Sequence, residues 1–175
     1  MLIKKHYLIN RQFISMTGLY DRNGKLCTFV RETEMTFIVD KSPTEILDES
    51  ICWMGYDFKG ALHASKRLLG DIQMYPVMVN PIERIVLFPT KSYKHAETIW
   101  LNPAQIRRTI SVNGQTHVTF SNGICTLIPS RLSSFNTKIQ NAEQLEQITS
   151  PGPNRSFSYI LNPKKRKAKK KQKNK

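Results

Sequence analysis

The chain has 175 residues, 39% of them hydrophobic, which is enough for one domain with a true core and excludes wholesale disorder. No apolar run approaches the ~20 residues of a membrane-spanning helix, the first ten residues lack a secretory apolar stretch and cleavage site, and three scattered cysteines (Cys27, Cys52, Cys125) make no disulfide framework. These features point to the reducing cytoplasm, and 27 Lys+Arg against 13 Asp+Glu, a net charge of +14, to a polyanionic partner.

Three Asn-Gly pairs punctuate strand-like runs, and each is read as a two-residue hairpin turn needing positive φ at both positions. The first joins residues 12–20 to residues 25–30 through Asn23-Gly24. Residues 34–39 read as a further strand. Ser42-Pro43-Thr44-Glu45 then carries the capping-box pattern with proline at the first helical position. The helix behind it places Ile46, Leu47, Ser50, Ile51, Trp53 and Met54 on one apolar face, and Gly55 stops it. A second helix covers residues 58–69, bounded by Asp57 and Gly70. Gly60 inside it suggests close packing. Residues 77–79, 85–88 and 98–101 are strand candidates, with a turn at Asn80-Pro81. Residues 107–112, 115–121 and 124–128, joined by Asn113-Gly114 and Asn122-Gly123, form a three-stranded meander. A third helix runs from about residue 133 to 148, before the breaker Ser150-Pro151-Gly152-Pro153.

The expected fold is β-rich α+β, an antiparallel sheet built from hairpins with about three supporting helices. One domain spans residues 1–149, a Pro/Gly linker with an apolar segment spans 150–163, and a Lys-rich tail expected to be disordered alone spans 164–175.

Charge is distributed unevenly. The last twelve residues hold nine basic groups and no acid, residues 1–83 are neutral, and residues 84–142 carry +6. On the second helix Lys59, His63, Lys66 and Arg67 share an arc that could follow a phosphate backbone; the plain alternative is a solvated helix face. Arg107 and Arg108 open the meander and Arg131 follows it, so with Lys91, Lys94 and Lys138 they are candidates for one basic surface. Basic residues on a sheet edge also deter aggregation. The tail, beginning Lys164, Lys165, Arg166, Lys167, supplies nonspecific affinity without an aromatic for stacking or a pattern for base readout.

Catalysis finds no local support: His6, His63, His95 and His117 are scattered, no zinc spacing is present, and neither a phosphate-binding glycine loop nor Gly-x-Ser-x-Gly occurs. No cofactor and no metal is expected. Cys125, in a strand, is read as a small core hydrophobe.

Several stretches resemble the ComK family of competence transcription factors: Leu87-Phe88-Pro89-Thr90, then Trp100, then Val118-Thr119-Phe120-Ser121-Asn122-Gly123, Ile128-Pro129 and Ser134-Phe135. Upstream, Asp48, Ser50, Cys52, Gly55 and Gly60 also resemble the family, and the likeness is colinear over about residues 7–163. The resemblance implies a cytoplasmic, nucleoid-associated, non-enzymatic activator of DNA-uptake genes. It implies binding to paired A/T-rich boxes of double-stranded DNA, mainly through the minor groove, as a homodimer or dimer of dimers. An RNA- or ribosome-associated basic protein is the alternative. The resemblance also implies delivery to the ClpC–ClpP protease by the adaptor MecA through a C-terminal segment, for which Tyr159, Ile160, Leu161, Asn162 and Pro163 are similar in place and character. Phe157, Tyr159, Ile160 and Leu161 could instead dock on the protein's own core. The lysine run that follows departs from the family's mixed-sequence ending.

Overall fold

A computed structural model describes residues 2–150. Ten strands and three helices follow one another: β1 (Ile3–Lys4), β2 (Phe13–Tyr20), β3 (Leu26–Glu32), β4 (Thr36–Val39), α1 (Pro43–Cys52), α2 (Phe58–Leu69), β5 (Val77–Asn80), β6 (Ile85–Pro89), β7 (Ile99–Leu101), a 3-10 turn at Pro103–Gln105, β8 (Ile106–Val112), β9 (Gln115–Phe120), β10 (Cys125–Ile128) and α3 (Leu132–Thr149). Seven strands make one sheet in the order β1-β4-β3-β2-β7-β6-β5, and the meander β10-β9-β8 makes a second. All pairings are antiparallel except β1 with β4. The fold is β-rich α+β, as the sequence indicates. β1 was not expected, because two residues carry no readable period.

Side chains alternate across a strand, so the seven-stranded sheet divides its apolar residues between two cores. Ile85 and Leu87 of β6, Val77 and Val79 of β5, and Trp100 of β7 face α1 and α2, where Ile46, Leu47, Ile51 and Phe58 meet them. Val86, Phe88 and Leu101 face the other way, onto Val118, Phe120 and Ile128 of the meander and Phe135, Ala142 and Leu145 of α3. This is why β6 reads as a continuous apolar run: it is covered on both faces.

The helix signals act as expected. Ser42 caps α1, its hydroxyl accepting from Glu45 N while the Glu45 carboxylate accepts from Ser42 N, with Pro43 in the first turn. Asp57 caps α2, and Gly70 ends it at φ 77°. Gly60 has a local reason rather than a packing one: a Cβ there would strike the Asp57 carboxylate that accepts its N–H.

Four expectations are corrected. Trp53 lies past the end of α1 and is 78% exposed, since the chain turns away there instead of extending the apolar face. Cys125 is exposed because it pairs with Thr119 on the outward side of the meander. Only one Asn-Gly pair, Asn113-Gly114 (φ 49° and 76°), has both residues at positive φ. At Asn23-Gly24 and Asn122-Gly123 only the glycine does, and the loops are longer: Asp21 N bonds Lys25 O, and Phe120 N bonds Ile124 O. That pattern is a turn closed by a left-handed glycine, the three-residue hairpin loop.

Candidate nucleic-acid interface

The exposed face of α2 borders a groove of about 460 Å³. Lys59, His63 and Lys66 line its helical wall, one and two turns apart, and Tyr75, Ser92, Tyr93 and Trp100 complete its lining. Phe58 joins the two sides, its ring packed edge-on against Tyr93 (5.5 Å) and Trp100 (6.1 Å). Asp48 of α1 fixes the helix start by accepting from Phe58 N at 2.9 Å. Basic groups from the neutral part of the sequence are thereby set beside the loop that begins the basic part.

That loop, residues 90–98, is tied down along its length. Thr90 and Ile99 exchange bonds across its base, Thr98 Oγ1 donates to Ser92 O at 2.6 Å, and the carbonyl of Ala96 accepts from Gly18 N on β2 at 3.1 Å. It carries Lys91, Tyr93 and Lys94. Lys94 and Tyr93 are exposed, whereas Lys91 pairs with Glu97 at 3.1 Å. Lys138 of α3 points into the same region, but its ammonium donates to Thr90 O at 2.5 Å and is half-buried. Burial lowers its pKa, and its partner is the protein's own backbone.

Arg107 and Arg108 occupy a second place. The register slips between Ile106, opposite Phe120, and Arg108, opposite Thr119. Such a bulge adds a residue to one strand and re-aims side chains, so two consecutive arginines are both exposed. Their strand continues with Ile110, which shares the outward face with His117 and Leu127. Arg131 stands on another element. It is exposed at the start of α3, following Ser130, whose carbonyl accepts from Thr116. A cation at a helix N-terminus adds to the positive end of the helix dipole, so this position raises local potential without stabilising the helix.

The sequence-predicted cations stand on several elements. Lys59 and Lys66 meet the loop of Lys91 and Lys94, Arg107 and Arg108 sit on the meander, Arg131 begins α3, and Arg67 is exposed on α2 beyond the groove-lining residues. Lys164, Lys165, Arg166 and Lys167, and the segment Tyr159, Ile160, Leu161, Asn162, Pro163, lie outside the described residues. Sequence reasoning missed the aromatic groups Tyr75 and Tyr93; the interleaving Lys91-Ser92-Tyr93-Lys94 was the available signal. Among the described residues no three His, Cys, Asp or Glu side chains cluster to hold a metal ion, and no helix is long and apolar enough to cross a membrane.

The sequence profile of the family described as ComK protein matches residues 4–151. The chain belongs to the ComK family. A relative named competence transcription factor, from Bacillus subtilis strain 168, is 27% identical over 153 residues, covering 84% of this chain and 79% of the relative. No solved structure matches the chain. Membership of the ComK family, with this relative, supports a competence transcription factor that acts in transcription regulation.

Proposed function

We propose that the chain is a non-enzymatic, cytoplasmic activator of DNA-uptake genes that binds paired A/T-rich boxes of duplex DNA as a homodimer or dimer of dimers. The observation that carries this reading is the convergence of Lys59, His63 and Lys66 on one wall of a groove whose opposite loop bears Lys91, Tyr93 and Lys94. Lysines at such spacing suit phosphates, which position a duplex without reading it. Arg107 and Arg108 have the chemistry for a narrow A/T-rich minor groove, whose enhanced negative potential attracts arginine. Arg131 and the tail from Lys164 would add nonspecific affinity. Adaptor capture of residues 159–163 belongs to the same proposal, because it rests on the family likeness.

Fluorescence anisotropy on paired A/T boxes, a G/C-rich duplex and a structured RNA tests it. Lys59→Ala with Lys66→Ala should weaken all duplexes and reduce the salt slope by about 2, near 0.9 for each phosphate that is no longer neutralised. Arg107→Ala with Arg108→Ala should weaken the A/T boxes selectively. Equal affinity for A/T and G/C duplexes, or preference for RNA, would overturn the proposal.

A further inference from the structure

The other side of α2 borders a second groove, of about 400 Å³, that is apolar where the first is basic. Ala61, Ala64 and Leu68 of α2, Met78 of β5, and Leu145 and Thr149 of α3 line it. Ser65 also lines it, fully buried, and its hydroxyl has no hydrogen-bond partner. A buried hydroxyl without a partner is unfavourable, so a polar group brought into the groove beside Ser65 would be favoured.

The chain leaves the described structure at the rim of this groove. Thr149 lines it, and the next residue, Ser150, is held in place: its Oγ donates to Glu146 O at 2.6 Å and accepts from Arg84 Nε at 3.1 Å, while Arg84 is ion-paired with Glu146 at 2.6 Å. Ser150 is already extended (φ −71°, ψ 133°), and Pro151 forbids another helical turn. Beyond the linker comes Phe157-Ser158-Tyr159-Ile160-Leu161, a run of four large apolar or aromatic side chains in five residues. Phe157 is seven positions beyond Ser150, a span of up to about 25 Å. The stretch of α2 from Gly60 to Leu68 is about 12 Å long, well within that reach.

We propose that residues 157–161 of the same chain occupy this groove. Their apolar side chains cover Leu68, Met78 and Leu145, and a polar group of the segment (its backbone or the Tyr159 hydroxyl) partners Ser65 Oγ. The segment is then withheld from other proteins until it leaves the groove, and the Lys-rich run after it departs from the body beside α2. This inference does not depend on DNA binding.

Limited chymotrypsin digestion of the full chain tests the proposal, since cleavage at Phe157 and Tyr159 tracks the population of the open segment. Ala64 is exposed at the groove, so Ala64→Arg obstructs docking while leaving the core intact. The expected result is cleavage about tenfold faster in Ala64→Arg than in the parent at equal thermal stability. Equal rates overturn the proposal. Protection that grows with protein concentration also overturns it, because the occupant is then another copy's segment. As a second measurement, Ala64→Cys with Ile160→Cys, in a chain carrying Cys52→Ser and Cys125→Ser, should oxidise to a disulfide within the monomer. A disulfide-linked dimer, or none, contradicts occupancy by the chain's own segment.

Discussion

A methyl group on Gly18 would sit 2.5 Å from the carbonyl oxygen of Ala96 and 3.0 Å from Leu26 Cδ1. The oxygen belongs to the backbone and is the acceptor of Gly18's own N–H, so it has no free rotation by which to yield. Ala96 lies in the loop that carries Lys91, Tyr93 and Lys94, and Gly18 therefore positions one wall of the candidate interface from the opposite half of the sequence. Gly18→Ala is expected to cost about 1–3 kcal/mol, the range for overpacking. It should appear as a lower urea midpoint at an unchanged denaturant slope; an unmoved midpoint would mean that the loop is not held there. Nothing local announces this role. In sequence Gly18 is merely a weak position within a strand, and its partner comes from far along the chain. Cys125 teaches the same lesson: alternation says that neighbours face opposite ways, but which way is outward is decided by the sheet it joins.

At the scale of elements, capping and period carried most of what the sequence revealed. The box at Ser42 and Glu45 was legible because its four residues are contiguous and their bonds are local. Ser42 Oγ and N both donate to Glu45 Oε2, each at 2.7 Å, and these two bonds hold the Glu45 carboxyl below its ordinary value of 4.5. A carboxylate with a depressed folded pKa stabilises the fold above its unfolded pKa and loses that contribution as pH falls through the folded one. Ser42→Ala is therefore expected to cost about 1 kcal/mol at neutral pH, and the difference from the parent should shrink below pH 4.5. Urea unfolding of both proteins at about pH 7 and about pH 3 measures it. The Asn-Gly pairs were less informative. The dipeptide marks a reversal, but loop length is set by strand register: Tyr20 pairs with Leu26, which leaves more than two residues at Asn23-Gly24.

At the scale of the molecule, β7 unites the two halves of the large sheet, bonded to β2 on one side and β6 on the other. Trp100 sits in that strand, 1% exposed, whereas Trp53 is 78% exposed. In a Trp53→Phe chain the remaining fluorescence should be blue-shifted, and its red shift on urea unfolding should coincide with the loss of far-ultraviolet circular dichroism. Separate transitions would mean that the halves unfold independently. The candidate interface was only half legible for the same architectural reason. The sequence displayed the cations, but the tertiary fold alone sets Lys59 and Lys66 on one groove with Tyr93, while Arg107 and Arg108 stand on the meander. The place of β7 also governs how the protein comes off the ribosome. β2 meets β3 at once, yet its other flank must wait until residue 101 has been made, roughly 4–16 s at ordinary synthesis rates. Until then that flank of β2 has no strand to pair with, and its amides and carbonyls are open to the same segment of chains on neighbouring ribosomes.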